Sequence, residues 1–169
     1  EVRAQEARGP DGEYSESPSP WSLERMIDTM QSVAVALAVA HGSGVAHRDI
    51  KPANIFLVED DDSEATTKLL DFGVAKVVED LQDGFDSTGS HDGPFTPKYA
   101  APEQFTKRLG STGPWSDVYA LAVVCVELLA GHYPLDAQGF GSLIFTVTDP
   151  NIRPTPRYAG VAVGDDREA

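Results

Sequence analysis

One cysteine, Cys125, stands among 169 residues, so no disulfide can close within the chain. A cysteine-poor sequence of this kind is expected in a reducing, cytoplasmic setting. No signal-peptide pattern opens the chain. Long apolar runs are missing too. The two longest, residues 33–40 and 118–130, fall short of the ~18–20 residues that cross a bilayer, so both read as core helices and no membrane segment is expected. Basic residues are scarce, with 13 Lys and Arg against 27 Asp and Glu, a formal net charge of −14. A surface so acidic repels polyanions, which argues against nucleic acid or an anionic membrane as partner. The acidic run Glu59, Asp60, Asp61, Asp62 and Glu64 reads as a solvated loop. His41, His91 and His132 have no metal-ligand spacing, Trp21 and Trp115 read as packing residues, and no internal repeat is present.

What remains is one domain by length, with enough apolar residues for a real core. Residues 1–20 are rich in Glu, Pro, Ser and Gly, and Pro10, Pro18 and Pro20 break any regular element, so they are expected to form a flexible linker. Ser22 can cap a helix. From Leu23 the apolar positions Met26, Ile27, Met30, Val33, Ala34, Leu37 and Ala40 recur at helical steps and predict a core-facing helix ended by Gly42 and Gly44. Residues 55–58 and 67–70 are β-type runs on either side of the acidic loop and predict a small hairpin. Residues 79–95 are rich in Asp, Gly and Ser and read as a loop. Residues 117–130 are apolar nearly all round, which predicts a helix buried on all sides and stopped by Gly131. Residues 142–148 suit one more short helix. Pro150, Pro154 and Pro156 leave residues 151–169 an irregular tail.

The chemistry concentrates in His47, Arg48, Asp49, Ile50, Lys51, Pro52, Ala53 and Asn54, which read HRDIKPAN. Asp71, Phe72 and Gly73 follow, and Ala101, Pro102 and Glu103 come later. Three separated motifs in this order are far more specific than any one alone, and the chain resembles the protein kinase family. The resemblance implies a protein-kinase-like α+β fold over residues 21–150, present here as its mainly helical C-terminal lobe with a small hairpin beside the catalytic loop. No Gly-rich loop and no V-A-I-K-type lysine precede the motifs. The ATP-covering N-terminal lobe is therefore expected to be absent from this segment.

Within that resemblance Asp49 is the expected catalytic base, orienting a substrate hydroxyl and accepting its proton. Lys51 would steady the transferring phosphoryl group. Asn54 and Asp71 would hold Mg²⁺ across the phosphates of ATP, since this ion takes hard oxygen ligands. Phe56 stands where relatives place an apolar residue under the adenine ring. Lys51 and Thr96 both favour a Ser/Thr protein substrate, and Glu103 belongs to the substrate-docking segment. His47, Arg48, Phe72, Gly73 and Asp117 have architectural roles: His47 and Phe72 as stacked core residues, and Asp117 as the anchor of the catalytic loop's backbone. An arginine directly before the base is typical of kinases switched by loop phosphorylation, and Ser87, Thr88 and Ser90 are the candidate phosphosites.

Some positions depart from the family pattern. Phe95 replaces a glycine before Thr96, Ala122 replaces a glycine in the buried helix, and Ala53 stands where Glu is frequent. In relatives Glu103 pairs with a downstream arginine. Here Arg153 and Arg157 are the only late candidates, so an unpaired and costly carboxylate is expected. The implied activity is Mg²⁺-dependent transfer of the ATP γ-phosphoryl group to Ser/Thr hydroxyls of proteins, by a eukaryotic-like kinase of bacterial character. A different reading is a catalytically inactive, pseudokinase-like binding module. A small-molecule kinase is a third, disfavoured by Lys51, Thr96 and the Ala101-Pro102-Glu103 motif. The segment alone is expected to be inactive and to self-associate through its uncovered lobe face.

Overall fold

A computed structural model describes residues 22–60, 63–72, 97–135 and 137–161. Helix α1 spans Leu23–Gly42. Ser22 caps it, its Oγ accepting from the Arg25 amide at 3.1 Å. Only a narrow seam of α1 is buried: Met26, Met30, Val33 and Leu37, with Thr29 between them. Ile27 and Ala34, expected to face the core, are exposed. A straight helix laid against one neighbour buries a stripe, and both residues lie beyond its edge.

Strands β1 (Ile55–Asp60) and β2 (Ser63–Leu69) pair as an antiparallel hairpin, with Ile55 opposite Leu69 and Phe56 opposite Lys68. A register irregularity between Val58 and Asp60 interrupts the ladder close to the turn. Ile55 points into the core and Phe56, one residue on, takes the other face of the ribbon. Helix α2 is the single turn Pro102–Phe105. Helix α3 spans Pro114–Ala130, with proline preorganised at its first position and Gly131 closing it at φ 74°, where glycine alone is unstrained. Helix α4 spans Phe140–Thr148, and no further helix or strand follows among the described residues up to 161.

The main core lies where α1 meets both β2 and α3, around Val33, Leu37, Ile50, Ile55, Val123 and Val124. A second cluster, Leu135, Leu143 and Val147, joins α4 to Phe105, Tyr119 and Tyr133. Helix α3 is not buried on all sides, as its composition suggested. Val123 and Val124 are sealed, but Trp115 and Val118 are 57% and 60% exposed. Trp115 is thus not a core residue. Its indole N–H donates to the Ser111 carbonyl at 2.9 Å, and its ring covers Gly113 so closely that a Cβ there would clash. Helix α1 is the longest among the described residues, and no helix among them is long and apolar enough to cross a membrane.

Candidate active site

The loop from His47 to Asn54 has no regular ladder to hold it, so its backbone groups need other partners. Asp117, in the first turn of α3, supplies two. Its Oδ2 accepts from the His47 amide at 2.7 Å and its Oδ1 from the Arg48 amide at 2.6 Å. Oδ2 also meets His41 Nε2 at 2.8 Å, at the last turn of α1. The Asp117 side chain is completely buried. One carboxylate thus ties the end of α1 and the start of the loop to α3. The contact of His41 with Asp117 is not legible in the sequence, where this residue shows no metal-ligand spacing. Its one signal is position: a histidine closing an apolar helix six residues before the motif.

His47 is fully buried. Its Nε2–H donates to the Leu70 carbonyl at 2.9 Å, and its Nδ1 accepts from the Asp49 amide at 3.3 Å. These roles require the neutral ring protonated at Nε2. Burial depresses the imidazole below its ordinary value, against opposing contributions from the Leu70 carbonyl and from Asp117. The ring lies 4.6 Å, centroid to centroid, from Phe72, tilted by 45°.

Asp49 and Lys51 reach back toward each other. Lys51 Nζ donates to Asp49 Oδ2 at 2.8 Å, and both side chains are largely but not wholly shielded. Asn54 sits in a single helical turn, residues Pro52–Asn54, and is buried. Its Nδ2 donates to the Asp49 carbonyl at 2.8 Å and approaches Asp49 Oδ2 at 3.4 Å. This orients the amide, so that its oxygen is turned away from Asp49 as an available acceptor. The Leu70 amide donates to the Asn54 carbonyl at 2.9 Å, which brings the exit of β2, and Asp71 after it, beside Asn54. Asp71 is exposed.

Among the described residues two other than glycine have left-handed backbone: Arg48 at φ 64° and Asp71 at φ 58°. Such positions cost about 1–3 kcal/mol each and persist only where the surroundings impose them. Both flank the candidate chemistry. Phe56 is half-buried on β1. Gly73, Ser87, Thr88, Ser90, Thr96 and Phe95 lie outside the described residues.

Glu103 corrects one expectation. Its carboxylate is not left without a partner, because Ser116 Oγ donates to Glu103 Oε1 at 2.6 Å. The same Oγ accepts from the Gly113 amide at 3.1 Å. The residue before Asp117 therefore does part of what the downstream arginine was expected to do. Arg153 is also within electrostatic reach of this region. Burial and the Glu103 charge push the Tyr119 hydroxyl up to about 12, and the Arg153 charge opposes them. Gln104 was not foreseen either. Its Oε1 accepts from the Ala101 amide at 2.9 Å and its Nε2 donates to the Arg48 carbonyl at 3.1 Å. Glutamine at the third helical position is a capping signal, which could have singled it out.

Among the described residues no group of three or more His, Cys, Asp or Glu side chains could hold a metal by itself. Asn54 and Asp71 offer hard oxygen donors, which fit Mg²⁺ held jointly with phosphate oxygens.

Residues 12–152 match the family described as the protein kinase domain. The chain is 35% identical over 145 residues to serine/threonine-protein kinase Pkn1 of Myxococcus xanthus, a match covering 85% of this chain and 20% of that protein. It is 35% identical over 145 residues to serine/threonine-protein kinase PknL of Mycobacterium tuberculosis, covering 86% of this chain and 33% of that protein. The crystal structure of the Mycobacterium tuberculosis PknI kinase domain aligns at a TM-score of 0.49 and 30% identity, over 71% of this chain and 39% of that one. The chain spans about a fifth to a third of the length of these curated relatives.

Proposed function

The chain belongs to the protein kinase domain family, and from that premise we propose that it carries the catalytic loop of a serine/threonine protein kinase, which transfers the γ-phosphoryl group of ATP to hydroxyls of a protein substrate. The observation that carries this reading is the convergence on Asp49: Lys51 Nζ at 2.8 Å and Asn54 Nδ2 at 3.4 Å from one carboxylate oxygen, on a loop whose backbone Asp117 fixes.

Asp49 would orient the substrate hydroxyl and accept its proton as the oxygen attacks the γ-phosphorus, with ADP leaving as the γ-phosphate bond to the bridging oxygen breaks. Lys51, already beside that carboxylate, places a positive charge where the transferring group gains negative charge. Asn54 and Asp71 would hold Mg²⁺. The ion supplies charge neutralisation across the nucleotide phosphates when bound. Phe56 offers an apolar surface for the base from the far face of the hairpin. The single cysteine, whose thiol burial pushes up, accords with a reducing cytoplasmic setting.

Residues 1–169 supply one side of the nucleotide site, because the Gly-rich strands and the strand lysine of the family pattern are not within them. This segment alone would therefore bind MgATP weakly and transfer nothing. Exposed Leu23, Val35 and Val39 on α1 support its self-association. Phosphorylation at Ser87, Thr88 or Ser90 would regulate the whole protein, and phosphate found by mass spectrometry within residues 86–96 of active enzyme would support that.

The test is radiolabel transfer from ATP to a serine peptide by residues 1–169 joined behind a complete kinase N-terminal lobe, and by the Asp71→Ala variant of the same chain. Transfer that depends on Asp71 and on added Mg²⁺ is the expected result. Undiminished transfer by the variant would overturn the role given to Asp71, and no transfer by the parent would favour a binding module.

A further inference from the structure

The peptide that joins Arg48 to Asp49 is gripped on both sides. Arg48 is in the left-handed region, where a residue with a Cβ does not stay unaided. Its N–H donates to Asp117 Oδ1 at 2.6 Å. Its carbonyl, which belongs to the peptide leading into Asp49, accepts from Gln104 Nε2 at 3.1 Å. The other end of the Gln104 amide accepts from the Ala101 N–H at 2.9 Å. Amide orientation is thereby decided from both ends: the oxygen must face the N–H and the nitrogen must face the carbonyl.

We infer that Gln104 is a positioning residue for Asp49: it clamps the Arg48–Asp49 peptide to the Ala101–Phe105 segment and so holds the carboxylate in its productive place. This rests on Asp49 being the proton acceptor. Asp117 holds the N-terminal side of Arg48, and Gln104 holds its carbonyl side. Rotation of the Arg48–Asp49 peptide plane changes ψ of Arg48 and φ of Asp49, and so would swing the Asp49 side chain. Gln104 opposes this rotation at the carbonyl, at 3.1 Å, and the Asp49 amide adds a longer bond to His47 Nδ1 at 3.3 Å. Arg48, Asp49 and Gln104 line a small, partly open cleft together with Tyr99 and Ala120, where a water could be admitted. A truncated side chain could let a water take over the bond, so full-length replacements make the sharper test.

A purely local role exists for comparison, since Gln104 also caps α2 through Ala101. Gln104→Glu separates the two. It keeps an oxygen for the Ala101 amide but turns a second oxygen toward the Arg48 carbonyl, so the cap survives and the clamp does not. Gln104→Met removes both. The same chain, residues 1–169 behind a complete kinase N-terminal lobe, and both variants are compared in steady-state transfer to a serine peptide, with Asp49→Asn as the inactive reference. Hydrogen–deuterium exchange is read in parallel over residues 47–54 and 114–130. The clamp predicts that Gln104→Glu and Gln104→Met each lower kcat about tenfold, the worth of one net hydrogen bond, with the KM for ATP within about twofold of the parent. It also predicts faster exchange in 47–54 and none of that change in 114–130. Parental kcat and exchange in Gln104→Glu would leave a cap only and overturn the inference. Exchange accelerated equally in 114–130 would make Gln104 a general stability residue and overturn it too. If the parent shows no Asp49-dependent transfer, the functional reading fails on its own, and the exchange over 47–54 decides whether the clamp exists.

Discussion

Asp49 and Asp117 are the same side chain serving the same loop, in opposite surroundings. Asp117 is sealed, and its two oxygens accept from the His47 and Arg48 amides and meet His41. Asp49 keeps 16% of its side-chain surface open and meets side-chain donors, the Lys51 ammonium and the Asn54 amide. A buried carboxylate with fixed backbone donors is a structural post, because losing it strands several donors at once. A carboxylate at the solvent boundary is available to a substrate. The difference teaches that chemistry and support are assigned by burial and partner type rather than by residue type.

The comparison breaks or sharpens by substitution. Asp49→Ala in residues 1–169 behind a complete kinase N-terminal lobe should lower transfer by ~10²–10⁴-fold, the usual weight of a general base, while the melting temperature stays within a few degrees of the parent. A melting loss as large as that of an Asp117 variant would erase the distinction. Asp117→Ala should cost about 3 kcal/mol or more of stability, read in thermal melts as a fall of roughly 10 °C, since three donors lose their acceptor inside the protein. An unchanged melt would show that the loop does not depend on this post.

Smaller effects test the periphery. Tyr99 donates to Glu127 Oε2 at 2.7 Å, with its hydroxyl proton held more tightly than usual by burial and by the Glu127 contact. Tyr99→Phe should cost about 1–2 kcal/mol in denaturant titration, the range for a bond to a charged acceptor. The smallest effect is the pH response of His47. Burial lowers its folded value below the 6.5 of the unfolded chain, so its contribution is complete above about pH 6.5. As pH falls from there toward the folded value, the unfolded chain takes up the proton first and stability declines. Proton uptake at Nδ1 would also remove the acceptor of the Asp49 amide. Melting curves between pH 7.5 and 5, on the order of the His titration range, should slope in that direction, and an NMR titration of His47 at or above the ordinary value would contradict it.

Much of the fold was legible because its signals are local. The Ser22 cap, the Met26 to Leu37 spacing, the β-type runs around the acidic loop and Gly131 each depend on a few neighbouring residues, and the elements they predict are present. The HRDIKPAN motif and Asp71 named the candidate chemistry in advance. The composition of α3 misled for the complementary reason: an apolar surface does not report whether anything is packed against it, and Trp115 and Val118 face outward.

By itself, then, the sequence determined the order of elements, the family and the identity of the candidate catalytic residues, since period, caps and a contiguous motif are properties of short stretches of chain. Only the tertiary structure decided who holds those residues in place. His41 and Asp117 are 76 residues apart, Gln104 and Arg48 are 56 apart, and Glu103 meets Ser116 across a turn between two helices. Such partnerships form because buried donors and acceptors must be matched wherever packing brings them together, and no local pattern in the chain records which distant group that will be.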